Sequence, residues 1–165
     1  LNPQSERAYN QLGNLYFSQE NKQYFNLQKA KTFFEKANEL NKESFSPNLH
    51  LAEIALFENR TSEATTIFEK LTVTDQKNPE IVFLLGYLDW KESKLSDATG
   101  HLENSFKLYK NSVPQKTSVE QDQDGNIFSF WMNEHLKDLD NQNNLAIYQD
   151  FDQYLKRKQL ELQND

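Results

Sequence analysis

Side chains that could perform chemistry are few in this chain of 165 residues. It contains no cysteine and three histidines, His50, His101 and His135, and we identify no metal-ligand partner for them beyond Glu134 next to His135. We therefore interpret each histidine as a surface or partly buried side chain. The four glycines are isolated, so no phosphate-binding loop is formed. These features predict a protein that is not an enzyme and uses no cofactor.

One acidic segment is similar to the first half of a calcium-binding loop. It places Glu120, Asp122 and Asp124 ahead of Gly125, but the position that should supply the closing carboxylate holds Trp131. Because a calcium loop needs that bidentate carboxylate, this segment supplies too few oxygen ligands to bind calcium. We interpret the segment as an acidic turn and expect no metal site.

Composition narrows the remaining classes of function. The formal net charge of -7 argues against a nucleic-acid partner, since phosphate binding requires a basic face. No apolar run is long enough to cross a bilayer, so we expect no membrane span. Aromatic residues make up 13% of the chain, which indicates a packed core and not a disordered segment.

A repeat with a period of 34 residues organises the chain. Alanine recurs at Ala30, Ala64 and Ala98, and a large apolar residue follows one turn later at Phe34, Phe68 and Leu102. Each copy of this helix is preceded by a second helix, marked by a large residue beside a small one: Leu12–Gly13, Leu51–Ala52 and Leu85–Gly86. The small residue lets two helices approach closely, so the pattern predicts three helical hairpins.

Local signals predict where these helices begin and end. Pro47 and Pro79 suit a first helical turn, with Ser46 and Asn78 before them as capping residues. We predict helices over residues 5–19, 26–41, 46–58, 61–73, 79–92 and 95–110. Additional residues at 21–25 lengthen the first connection beyond the repeat.

Residues 1–111 resemble three tetratricopeptide repeats (TPRs). The first repeat carries the resemblance with Tyr9, Leu12, Gly13, Tyr16, Ala30, Phe34 and Ala37, the second with Leu51, Ala52, Ala64 and Phe68, and the third with Leu85, Gly86, Leu95, Ala98 and Leu102. The resemblance implies an all-α fold: a right-handed superhelical array of antiparallel helix hairpins, or TPR-like solenoid, with C-terminal capping helices. The opening Leu1-Asn2-Pro3 resembles the end of such a repeat, so we expect a longer array.

The rest of the chain departs from the repeat. Residues 112–126 are polar and contain Pro114 and Gly125, which predicts a loop. Within residues 127–165, apolar residues at helical spacing predict a helical pair. This pair is interpreted as a cap over the third hairpin, because terminal repeats expose an apolar face. The alternative is that residues 128–132 form a tethered ligand lying in the groove of the array.

The resemblance also implies where a partner binds, namely on the concave face formed by the first helix of each hairpin. The residues expected on this face are Asn10, Asn14, Phe17, Leu49, His50, Glu53, Phe57, Phe83, Tyr87, Trp90 and Lys91. Many of them are aromatic, which suits a protein or peptide partner with apolar side chains. Aromatic residues at helical spacing also form cores, so the alternative is that at least half of Phe83, Tyr87 and Trp90 pack between neighbouring hairpins. Only Asn14 matches the polar clamp that grips chaperone C-termini, and Asn10, Glu80 and Leu84 stand where cations are required, so we do not expect such tails as partners.

Two functions remain open from the sequence. The first is a non-catalytic scaffold that binds a polypeptide segment in the concave groove of a TPR array. The alternative is a structural spacer or regulatory module of a larger multidomain TPR protein.

Overall fold

The computed structural model describes residues 4–19, 23–112, 126–136 and 144–163, and within these ranges the regular structure is entirely α-helical. The helices are α1 (Glu6–Phe17), α2 (Leu27–Leu40), α3 (Phe45–Phe57), α4 (Thr61–Thr74), α5 (Pro79–Lys91), α6 (Leu95–Ser112), α7 (Ile127–His135) and α8 (Ala146–Gln163). The first six agree with the predicted helices to within two residues at each end. The prediction of an all-α fold is confirmed.

Helices α1 to α6 pack in consecutive pairs. The most extensive contacts lie between α1 and α2, between α3 and α4, and between α5 and α6. Neighbouring pairs meet where α2 contacts α3 and where α4 contacts α5. Because short connections join the helices of the second and third pairs, these pairs are antiparallel hairpins. This packing of consecutive helices is consistent with a helical repeat.

The 34-residue period is also present in the backbone of the turns. Asn59 and Ser93 occupy equivalent positions after α3 and α5, and both are left-handed, with φ of 60° and 63°. In each turn the backbone N–H of the following residue donates a hydrogen bond to the carbonyl of the residue five positions earlier. Arg60 bonds to the Ala55 carbonyl at 2.8 Å, and Lys94 bonds to the Asp89 carbonyl at 2.9 Å. This is the Schellman ending of a helix, so both hairpins turn in the same way.

The first connection is longer, as predicted. It spans residues 18–26, of which 20–22 lie outside the described residues, whereas the second spans residues 58–60. Asn26 closes it by donating its backbone N–H to the Tyr16 carbonyl at 2.8 Å and by capping α2 through its side chain.

One of the two predicted caps is correct. Asn78 accepts hydrogen bonds from the backbone N–H groups of Glu80 and Ile81, and Pro79 opens α5. The prediction for Ser46 is wrong, because α3 begins one residue earlier, at Phe45, and Ser46 lies inside its first turn. Its hydroxyl instead exchanges hydrogen bonds with the Asn10 side chain on α1.

The repeated positions form the core of the hairpins. Ala30, Ala64 and Ala98 are fully buried, as are Phe34 and Phe68, which follow the first two of them by one turn. Close approach explains the small residues: a Cβ placed on Gly13 would lie 2.5 Å from Cδ1 of Phe34. The first helix of the hairpin therefore needs glycine at this point.

Three predictions fall outside the described residues: the repeat end at residues 1–3, most of the loop at 112–126 and the calcium-like segment at 120–125. Among the helices that are described, none is both long and apolar enough to cross a membrane.

Two of the helical glycines, Gly13 and Gly100, provide a matched test of the packing. Gly13→Ala should lower the free energy of unfolding by about 1 to 3 kcal/mol, because the added methyl group overlaps the Phe34 ring. Gly100→Ala, where no atom lies within 4 Å of the added group, should raise it by about 0.5 to 1 kcal/mol through helix propensity. Urea unfolding followed by circular dichroism measures both. Stabilisation by both changes would contradict the close contact of α1 with α2.

Candidate helix-binding site

Helices α3 and α5 are buried around nearly their whole circumference. Every residue of α5 from Ile81 to Leu88 is buried, and so are nine of the thirteen residues of α3. A helix that is apolar on every face needs neighbours on every face. The hairpin helices pack against part of this surface. Helices α7 and α8 contact further residues of it, namely Glu53 and Phe57 on α3 and Phe83 and Tyr87 on α5.

The structure locates each residue that the sequence predicts on the concave face. Asn10 and Asn14 on α1 are partly buried, Trp90 is partly buried, and the Lys91 side chain is 31% exposed. The other predicted residues are buried: Phe17, Leu49, His50, Glu53, Phe57, Phe83 and Tyr87. The sequence predicts an open groove at these positions, whereas in the structure seven of the eleven side chains are buried within the chain. We call the surface formed by Glu53, Phe57, Phe83, Tyr87 and Lys91 the α3–α5 face.

Helix α7 contacts this face with one aromatic side chain and with its N-terminus. Trp131 packs on Phe83 with ring centroids 5.6 Å apart. Asn126 caps α7 by accepting hydrogen bonds from the backbone N–H groups of Phe128 and Ser129, both at 2.9 Å. The same side chain donates from Nδ2 to Glu53 Oε2 at 3.4 Å. The buried carboxylate of Glu53 thus lies beside the positive end of the α7 dipole, which is a favourable arrangement.

Helix α8 supplies most of the aromatic contacts. Phe151 packs edge-on against Phe83 and Tyr87, with centroid distances of 5.4 Å and 5.0 Å. Tyr148 lies 5.0 Å from Phe83. All four rings are buried, and edge-to-face pairs of this kind add about 0.5 to 1.5 kcal/mol beyond the area that they bury.

A carboxylate fixes α8 to α5. Asp152 is 8% exposed, and its Oδ1 accepts a hydrogen bond from the Tyr87 hydroxyl at 2.6 Å and another from Lys91 Nζ at 3.3 Å. Lys156, one turn further along α8, pairs with Oδ2 at 2.6 Å. Burial acts to raise the pKa of Asp152, but the bonds from Lys156 and Tyr87 and the charge of Lys91 outweigh it and hold the pKa below its usual range.

Burial raises the pKa values of three tyrosines at the site. Burial, together with the neighbouring Asp152 carboxylate, raises the pKa of Tyr87. Burial also raises the pKa of Tyr148, and it raises that of Tyr154 to about 12. Each of these hydroxyls therefore stays protonated and able to donate a hydrogen bond at neutral pH.

The two C-terminal helices contact both the third hairpin and the α3–α5 face. On the third hairpin, the Tyr148 hydroxyl donates to the Ala98 carbonyl at 3.3 Å and occupies the space beside Gly86. Trp131 and Asp152 instead contact the α3–α5 face. Further along α8, the Gln159 side chain donates to the backbone carbonyl of Phe57.

His50 is not the surface or partly buried histidine that the sequence predicts. It is 1% exposed, packs between the rings of Phe17 and Phe34, and its Nδ1 lies 2.7 Å from Oε2 of the fully buried Glu53. The spacing of three residues on α3 is the sequence signal for this pair, since residues three apart lie on the same side of a helix. Since both are closed off from solvent, the pair connects the hairpin core to α7.

The other titratable clusters are more exposed. His101 Nδ1 lies 2.8 Å from Asp89 Oδ2, which joins α6 to α5. A cavity of about 350 Å³ opens between the outer faces of α7 and α8, and Glu134, His135 and Arg157 are among the residues that line it. Within the described ranges, no three histidine or acidic side chains are grouped as a metal site.

The residues that complete the site were missed as functional residues: Asn126, Tyr148, Phe151 and Asp152. Two signals in the sequence point to them. Helix α5 reads IVFLLGYL with no polar stripe, which indicates that it is covered on all sides. In α8, Asp152 interrupts a stripe of aromatic residues, which indicates a buried, paired carboxylate.

No protein-family model matches the chain, and no curated protein matches it significantly.

The contribution of Asp152 to stability should depend on pH. Because its folded-state pKa lies below the unfolded value of about 3.9, its stabilisation is present above that value and is lost as the pH falls through the folded pKa. At pH 7, Asp152→Asn should lower the free energy of unfolding by about 1 to 3 kcal/mol, since a charged acceptor is lost. Below about pH 4 the difference from wild type should shrink. Urea titrations across this range measure it.

The exposed neighbour Asp150 provides the control on the same helix. Asp150→Asn should change stability by less than about 0.5 kcal/mol at pH 7. An effect of Asp152→Asn that is equally large at every pH would show that the carboxylate charge is not what holds α8.

Proposed function

We propose that this protein is a non-catalytic interaction module whose α3–α5 face binds a helical polypeptide segment. One observation carries the proposal: in the structure this face already holds a helix, supplied by the chain itself. Phe151 of α8 inserts between Phe83 and Tyr87, and Asp152 pairs with Tyr87 and Lys91. An amphipathic helix laid into an apolar groove is an established mode of peptide recognition.

The composition of the face supports a partner with apolar side chains. Phe83 and Tyr87 present rings on α5, and Phe57 lies at the end of α3. The hairpins that carry these residues repeat every 34 residues in sequence and in turn geometry. We propose that they form a TPR-like solenoid with right-handed superhelical twist, whose concave side is the α3–α5 face.

Partner binding at this face requires α8 to leave it. The apparent affinity of such a protein is reduced by the small fraction of molecules in which the site is free. Changes that weaken the docking of α8 without altering α3 or α5 should therefore strengthen binding in trans.

The second candidate function is a structural spacer or regulatory module of a larger protein. The burial of Phe83 and Tyr87 beneath α8 favours it, because a surface that is permanently covered serves as core. The two candidates differ in whether a helix supplied in trans ever gains access to the face.

A peptide-binding experiment separates them. A fluorescently labelled peptide of residues 144–163 is titrated with the wild-type chain and with Phe151→Ala, and anisotropy is recorded. Removing the buried ring costs about 3 to 5 kcal/mol, and 1.4 kcal/mol corresponds to tenfold in affinity. We therefore expect Phe151→Ala to bind the peptide at least about tenfold more tightly than wild type does.

Gln149→Ala, an exposed change on the same helix, is the matched control and should behave as wild type. Circular dichroism establishes that each variant is folded. A helical Phe151→Ala chain that binds no peptide would refute the binding function and favour the spacer.

A further inference from the structure

We infer that the partner of the α3–α5 face is an amphipathic helix that presents a carboxylate directly after an aromatic residue, as Phe151 and Asp152 do in α8. The inference rests on the proposed function and specifies its ligand. The expected pattern is aromatic residues at positions i and i+3, a carboxylate at i+4, and an aromatic and an aliphatic residue at i+6 and i+7. In α8 these positions are Tyr148, Phe151, Asp152, Tyr154 and Leu155, all of them buried.

The aromatic positions follow from the shape of the face. The rings of Phe83 and Tyr87 both approach Phe151, at centroid distances of 5.4 Å and 5.0 Å and nearly perpendicular to it. One turn earlier, the Tyr148 hydroxyl fills the space left by the missing side chain of Gly86. Residues three apart lie on one side of a helix, so a single partner helix reaches both places.

The carboxylate position follows from the polar groups that the face presents. The buried Tyr87 hydroxyl donates to Asp152 at 2.6 Å, and burial keeps its pKa raised so that it remains a donor. Lys91 lies 3.3 Å from the same oxygen and adds a positive charge. A helix with an apolar residue at this position would bury the hydroxyl without an acceptor, and that penalty is what makes such a site selective.

Charge also makes the face selective among amphipathic helices. The chain carries a net charge of -7, so most acidic helices are repelled at long range. Lys91, at the rim of the face, places a positive charge beside the one position at which a carboxylate is bound. We expect recognition of one placed carboxylate and not of general acidity.

The test uses the Phe151→Ala variant of the 165-residue chain as acceptor and three labelled peptides of residues 144–163. These are the native sequence, Asp152→Asn, which removes the anchoring charge, and Asp150→Asn, which removes an equal charge from the exposed side. We expect the Asp152→Asn peptide to bind about tenfold more weakly than the native peptide, and the Asp150→Asn peptide to bind as the native one does. Adding Tyr87→Phe to the acceptor should reduce the difference between the native and Asp152→Asn peptides.

The possible failures are distinguishable. If the native and Asp152→Asn peptides bind equally well, the carboxylate is not recognised, although the binding function stands. If no peptide binds a folded acceptor, both the inference and the function fail. If light scattering shows that the acceptor forms a dimer that excludes the peptide, the occupant is a second copy of this chain and the inference is wrong.

A milder acceptor covers the case in which Phe151→Ala does not fold. The Asp152→Asn variant of the 165-residue chain keeps every ring in place and loses only the anchoring charge of its own α8. The native peptide should bind it more tightly than it binds wild type. Equal or weaker binding of this folded chain would overturn the inference.

Discussion

The fold depends on the need of two helices for cover on every side. Helices α3 and α5 carry apolar or buried residues around their whole circumference, including Phe83 and Leu84, which are fully buried. Hairpin packing alone leaves one side of each helix facing water. Exposing that side costs roughly 25 cal/mol for each Å² of apolar surface, so the chain gains by bringing a further element onto it. The C-terminal helices supply that element.

Polar contacts determine how α7 and α8 are placed. An apolar surface would accept many orientations of a covering helix, whereas Asp152 and Glu53 each have specific partners. Asp152 bonds to Tyr87 on α5, and Glu53 accepts from Asn126 at the start of α7. A buried carboxylate that loses its partner carries a large penalty, so alternative registers are disfavoured. The rings provide most of the attraction, and these two acids provide the alignment.

The sequence predicts the hairpins well because their signals are local. Asn78 and Pro79 mark the start of α5, and Gly13 marks the close contact of α1 with α2. The predicted cap of α3, Ser46, lies two residues after the observed N-cap position, Ser44. Both residues are serines, so the local sequence does not distinguish the two starts of the helix and tertiary packing decides between them.

The candidate site is less predictable because its contacts join residues distant in the chain. Tyr87 and Asp152 are 65 residues apart, and Phe57 and Gln159 are 102 residues apart. The repeat period carries no information on α7 and α8, which lie outside it. The full circumference of apolar residues on α5 shows that something must cover the helix, but it does not identify what.

The most direct test is an NMR measurement of nuclear Overhauser effects between aromatic side chains in the wild-type protein. The Trp131 and Phe83 rings lie 5.6 Å apart between centroids, and a Trp90→Phe variant leaves Trp131 as the single tryptophan to assign. We expect cross-peaks from the Trp131 ring to the Phe83 ring, together with slow exchange of amide hydrogens in α8. A mobile Trp131 without these cross-peaks, in a chain whose six hairpin helices remain protected, would show that the α3–α5 face is open in solution.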